Sequence, residues 1–180
     1  AKTVVGLNAF DQKTLDKKLI ELDGSPNKAN LGANAILGVS LTNAVAAAKA
    51  KSTPLYRHLG SGSIMPVPML NILNGGKHAD NNLNCQEFMI VPIGAKSFSQ
   101  ALEWAADIYH NLKTILKSKN LSTGVGDEGG FAPNLKDDEE ALKYITQAIK
   151  KSGLVLGKDV AIALDVAASE MYNEAIKIGE

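Results

Sequence analysis

Three residues able to exchange a proton stand in glycine-rich, poorly helical stretches. They are His78 in NGGKHAD at 74–80, Glu87 in QEFMIV at 86–91 and Glu128 in GDEGGFAP at 126–133. Glycine permits positive φ and close approach of the backbone to a ligand, and a carboxylate flanked by glycines has few neighbours to occupy it structurally. Asp165, directly after the apolar run VAIAL at 160–164, adds a fourth candidate. Carboxylates crowded into a partly desolvated place raise one another's pKa unless a cation intervenes. Such a group either holds protons for acid/base work or binds a metal. Asp165, at the end of a rigid strand, suits a hard, oxygen-loving cation such as Mg²⁺. One aspartate does not complete that site, and after it only Glu170, Glu174 and Glu180 offer further carboxylates.

Each residue also has a plainer reading. His78 reads as an exposed loop histidine, Glu87 as the cap of a strand edge, Glu128 with Asp127 as turn carboxylates, and Asp165 as the N-cap of a helix holding Ser169 and Glu170. His58 and His110 read as helix-surface or packing residues. Cys85 with His78 would make a thiol nucleophile pair, but no third orienting group or electropositive setting accompanies it.

The elements that must position these residues decide between the readings. Residues 66–73 and 87–93 read as strands with prolines at their ends, and the link at 74–86 lacks helical periodicity, so the second strand returns antiparallel. Ser97 and Gln100 form a capping box for a helix striped by Leu102, Ala106, Tyr109, Leu112 and Leu116, ending near Asn120. A further helix starts near Asp137, with Asp138, Glu139 and Glu140 in its first turn. Its apolar face is Leu142, Ile145 and Ile149, and Lys150, Lys151 and Gly153 close it. The strand at 160–164 is apolar at every position, as a strand covered on both faces would be. Counting directions through this order brings His78, Glu87, Glu128 and Asp165 to one end, the rim where α/β barrels build catalysis.

Upstream, Asp11 or Thr14 caps a helix with Leu15, Leu19 and Leu22 on one face, stopped by Gly24 and Pro26. A second helix spans about 31–51. Residues 29–48 carry no charge, yet Asn30, Asn34, Ser40, Thr42 and Asn43 interrupt them. They predict a helix squeezed between two layers rather than a membrane span. The flexible LGSGS at 59–63 places a junction between residues 1–60 and 61–180.

Composition restricts the partners. With 19 basic and 19 acidic residues the formal charge is zero, so no long-range field draws in nucleic acid or an anionic membrane. Any phosphorylated ligand is held locally. The single cysteine, Cys85, forms no intrachain disulfide, and the amino terminus shows no targeting signal; both fit a cytoplasmic protein.

Three stretches, NGGKHADNNLNCQEFMIVP at 74–92, VGDEGGFAPN at 125–134 and ALDVAASE at 163–170, closely resemble the enolase family. LDG at 22–24 and LGANAILGVS at 31–40 match it too, and the wording around His78 is closer to bacterial members. The resemblance implies an α/β fold: a partial enolase-type β/α barrel, its opening ββαα plus the next strand, preceded by helices of a smaller α+β capping domain. It implies reversible Mg²⁺-dependent dehydration of 2-phosphoglycerate to phosphoenolpyruvate in glycolysis. Enolase-superfamily sites are themselves a known case of a lysine or histidine base working with magnesium. By motif, Glu128 with Glu87 assists departure of the C3 hydroxyl, and His78 closes over the phosphate side of the substrate. Gln86 lines the pocket and Asp165 ligates Mg²⁺.

The family's lysine base, its other metal carboxylates and its phosphate-binding arginine and serine have no counterpart in this span, and an eight-stranded barrel takes about 250 residues. The chain is therefore expected to be an excerpt that alone neither turns over substrate nor binds Mg²⁺ tightly. The resemblance further implies a homo-oligomer, usually a dimer through the smaller domain with Tyr56, Arg57 and His58 near the contact, and a cytoplasmic enzyme with room for an additional cell-surface or secreted pool. Two alternatives stay open: a superfamily member acting on another carboxylate, and a non-catalytic surface-binding protein.

Overall fold

The computed structural model describes residues 3–171, and the chain divides into two compact units, Ala1–Ile64 and Met65–Glu180. In the first, helix α1 (Gln12–Asp23) begins where the Asp11 carboxylate accepts the Thr14 N–H at 3.2 Å. It stops at Gly24, whose φ of 70° turns its own N–H onto Ile20 O at 3.0 Å. Helices α2 (Ala33–Ala50) and α3 (Leu55–Leu59) follow. The buried apolar surface comes from Leu15, Leu19, Ala44, Ala47 and Ala48. Gln12 ties α1 to α2 by donating to Ser40 O at 3.0 Å and accepting from Asn43 Nδ2 at 2.8 Å.

Two expectations fail here. Leu22 is half exposed, and the inward position at the end of α1 belongs to Asp23. Its carboxylate accepts the N–H groups of Leu31 and Ser25 at 2.7 and 3.0 Å. These bonds, that of Leu31 foremost, hold it below the usual carboxylate range. A polar contact anchoring the α1–α2 loop thus displaces an apolar one. Nor is α2 squeezed between two layers: Leu37 and Leu41 are more than half exposed, because α1 and α3 are the elements packed on it within this unit.

The second unit is an open sheet covered by two helices. Strands β1 (Leu70–Asn74), β2 (Glu87–Val91) and β3 (Ala161–Asp165) lie in the order β1-β2-β3, each antiparallel to its neighbour. Both early strands are shorter than their apolar runs. Pro66 and Pro68 lack the N–H a ladder needs before Leu70, and Pro92 ends β2 for the same reason.

Helix α4 (Phe98–Ser118) is capped by Ser97, which accepts the Gln100 N–H at 3.1 Å. The Gln100 side chain reaches back one residue further than in a regular capping box, to the Lys96 N–H at 2.7 Å. Its buried row is Ala101, Ala105, Ile108, Leu112 and Leu116. The expected stripe is therefore turned by one residue at its start, with Leu102 42% exposed, because alanines let the helix approach Phe88 and Ile90 in the shared core. Helix α5 (Asp138–Lys151) buries Ala141, Ile145, Ala148 and Ile149, with Leu142 partly buried against them.

Asp137 caps α5 by accepting the Glu140 N–H at 2.8 Å. Asp137→Ala is expected to cost about 1 kcal/mol, the usual value for a lost N-cap. A lower urea midpoint at unchanged slope measures it, and an unchanged midpoint would show the cap to be idle. At the last strand the structure again differs from expectation: Leu164 is 46% exposed and Ala161 to Ala163 only partly covered. Among the described residues β3 is an edge strand, so one of its sides has nothing to pack against. A short helix α6 (Ala168–Met171) follows it.

Candidate active site

The end of β1, the start of β2 and the end of β3 lie side by side, since Asn74 pairs with Glu87 and Glu87 with Asp165. Between β1 and β2 the chain makes a loop pinned at its base. Gly75 N–H donates to Gln86 O at 3.0 Å and Gly76 N–H to Leu83 O at 2.9 Å. A Cβ at position 75 would stand 2.5 Å from Cys85 O, so only glycine fits there. One 3₁₀ turn, Gly76–His78, then delivers the histidine.

A second loop brings Glu128. Gly126 N–H donates to Gly130 O at 2.9 Å, closing a tight turn with Glu128 at its tip. Phe131, just beyond, donates to Ile72 O at 3.0 Å and accepts from Asn74 N–H at 2.9 Å, which seats the turn on β1. Asp127 N–H donates to His78 O at 3.0 Å, joining the two loops directly. Asparagines lash them further. Asn81 Nδ2 donates to Asn74 O and Pro133 O at 2.9 and 3.1 Å. The Asn82 amide pairs with both the N–H and the carbonyl of Leu135. Asp138 Oδ1 accepts the N–H groups of Asn84 and Cys85 at 3.1 and 3.3 Å. The sequence reading assigned no positioning role to these residues: the NNLN run at 81–84 counted only as part of the family-like stretch at 74–92, and Asp138 only as a first-turn acid of α5.

The result is a compact acid/base cluster. His78 Nδ1 lies 3.4 Å from Glu87 Oε1 and 3.7 Å from Glu128 Oε1, and one ligand atom from each residue falls within 4.8 Å of the others. The Nδ1 atom is fully buried and hydrogen-bonds to neither carboxylate. Asp165 stands next to the cluster without joining it. Its side chain is exposed, and Oδ1 accepts the Ala167 N–H at 2.9 Å, so it also shapes the turn into α6. Gln86 is half-buried and held by its backbone, donating its N–H to Asp165 O at 3.1 Å. Beside the cluster an open cleft of about 640 Å³ runs between the loops, lined by Lys77, His78, Asp80, Val125 and Asp127. That volume suits a small ligand.

Burial above all, then the hydrogen bond and charge of Glu128 and the charge of Asp165, push the Glu87 carboxyl above the usual range; His78 pulls the other way. A carboxyl raised in the folded state contributes stability fully below its unfolded pKa and loses it as pH climbs through the folded value. Glu87→Gln, uncharged at every pH, is therefore expected to melt higher than wild type at neutral pH, with the difference vanishing in acid. Thermal midpoints at matched pH read this out. A variant that melts lower at neutral pH would mean that favourable partners hold the ionised form.

The thiol reading does not survive. Cys85 is buried, its Sγ faces the carbonyls of Glu87 and Asp165 at 3.6 and 3.5 Å, and burial pushes the thiol up, away from the reactive thiolate. The concentration of Glu87, Glu128 and Asp165 is instead a setting whose mutual repulsion a bound cation relieves, so the residues present fit a divalent metal.

The open sheet with its two covering helices is consistent with part of an α/β barrel, and it carries a histidine and two glutamates together at one end. Residues 1–59 match the model of the enolase N-terminal domain and residues 62–178 that of the enolase C-terminal TIM barrel domain. The chain belongs to the enolase family.

Proposed function

We propose that this chain supplies the acid side of an enolase active site, in an enzyme that reversibly converts 2-phospho-D-glycerate to phosphoenolpyruvate and water. The observation that carries the reading is the meeting of His78, Glu87 and Glu128 within 4.8 Å on three separate segments. Glu87 and Glu128, close enough to share a proton, deliver it to the departing C3 hydroxyl; the C3–O bond breaks and water leaves. The C2 proton goes to a base supplied from outside these 180 residues. His78, lining the cleft beside Lys77, closes over the phosphorylated side of the substrate, and Gln86 lines the pocket.

Asp165 would hold Mg²⁺, which offsets negative charge developing on the substrate carboxylate. Among the described residues it is the one such ligand at the end of β3, so tight binding draws on further carboxylates of a complete barrel. In the same proposal residues 1–60 belong to the smaller capping domain and 61–180 to the start of the barrel, within a cytoplasmic homo-oligomer.

The test is an absorbance assay of phosphoenolpyruvate formation by the full-length enzyme containing this chain, with Mg²⁺ and then with chelator. Turnover of 2-phosphoglycerate that chelation abolishes, with the 180-residue chain inert on its own, is the expected result. Normal turnover by the isolated chain, or a full-length enzyme unable to use this substrate, overturns the proposal.

A further inference from the structure

Asn74 is in contact with all three parts of the cluster's support. It pairs across the ladder with Glu87, and its main chain opens the loop that ends at His78. Its side chain touches both glycines that bound the Glu128 turn. A Cβ on Gly130 would stand 2.3 Å from Asn74 Oδ1, and one on Gly126 would stand 3.0 Å from Asn74 Cβ. The flat carboxamide therefore fills a slot between two backbones that carry only hydrogens there. Its backbone is used as well: Asn74 N–H donates to Phe131 O at 2.9 Å, and Asn74 O accepts from Asn81 Nδ2 at 2.9 Å.

Packing alone does not call for an asparagine at this place. The residue is 0% exposed, and neither Nδ2 nor Oδ1 has a hydrogen-bond partner among the described residues. A buried donor and acceptor left unpaired cost free energy, and an apolar side chain of similar size would avoid that cost. Stability selection by itself would favour the apolar residue. What the amide offers is thinness: a planar group keeps the Gly126–Gly130 turn close to β1, where a branched aliphatic chain would push it away.

We propose that Asn74 is a positioning residue, setting the distance of Glu128 from Glu87 and His78 by filling the slot between Gly126 and Gly130. Its catalytic consequence rests on the function proposed above; its structural consequence does not. In the full-length enzyme, Asn74→Ala is expected to lower kcat by about tenfold to a hundredfold, the scale of a misplacement near 1 Å, with KM within about twofold of wild type. The melting temperature should change little, since the void left in the slot is offset by the removal of two unpaired buried atoms. A fall in kcat that is matched by a comparable fall in melting temperature, or no fall in kcat, overturns the proposal.

A second measurement stands apart from turnover. In amide NMR spectra of the 180-residue chain, Asn74→Ser should shift the resonances of residues 126–131 and of His78, leaving those of α1 and α2 in place. Shifts spread over the whole of the second unit, none at 126–131, or failure of both variants to fold, also overturn it. If the wild-type enzyme does not use 2-phosphoglycerate while the NMR shifts appear as stated, the proposed function fails and the positioning role stands.

Discussion

Replacing Glu128 with glutamine in the full-length enzyme is expected to reduce kcat by about a hundredfold to ten-thousandfold, the range over which a positioned acid or base contributes. Glutamine keeps the shape of the side chain and the turn closed by Gly126 and Gly130, so the loss measures the proton and not the fold. The change also removes one of the charges that push Glu87 up, leaving burial and Asp165 to act on it. Glu87 should then ionise more readily, and the pH dependence of kcat should shift toward acid together with the fall in rate. A variant retaining turnover within about threefold of wild type, an order of magnitude short of that range, would remove Glu128 from the acid role.

The second large effect falls on stability. Phe131 is 1% exposed, stacks on Tyr109 with ring centroids 4.2 Å apart, and shares the core with Leu73 and Phe88. Phe131→Ala should cost about 3–5 kcal/mol, the usual penalty for truncating a buried aromatic side chain. Against a typical domain stability of about 5–15 kcal/mol that is a substantial share. It should appear as a lower denaturant midpoint at unchanged slope. The backbone of Phe131 also seats the Glu128 turn on β1, and Tyr109 Oη donates to Gly129 O at 2.8 Å from the same stacked pair. The cavity should therefore loosen the acid loop in particular. A cost below about 1 kcal/mol would show that the site collapses around the missing ring.

Local chemistry was the most legible part of the sequence. Asp11, Ser97 and Asp137 each accept an N–H three residues on, because an N-cap is set by a handful of neighbours and depends little on the rest of the chain. The antiparallel return of β2 could be reasoned out as well, since a link without helical periodicity does not make a parallel crossover. The long motifs carried the family. Burial was read less well wherever it depended on a distant partner. Leu102 and Leu22 have the right spacing and face solvent; alanines and a buried aspartate take the inward positions. Spacing says which residues share a face, but not how closely that face is approached.

From its own letters the chain determines which residues are able to handle protons, where its helices begin and which family it joins. All of these depend on side-chain chemistry and short-range order. Only the tertiary structure decides that His78 Nδ1 sits 3.4 Å from Glu87 and 3.7 Å from Glu128, that Asp165 stands beside them with one oxygen engaged by Ala167, and that the Asn74 side chain is wedged behind the acid turn with no hydrogen-bond partner among the described residues. Those distances are set by hydrogen bonds that span about fifty residues, such as Asn82 to Leu135 and Asn81 to Pro133. The rise in the Glu87 pKa follows from the same closure, since like charges disturb one another only when the fold brings them close and shields them from water.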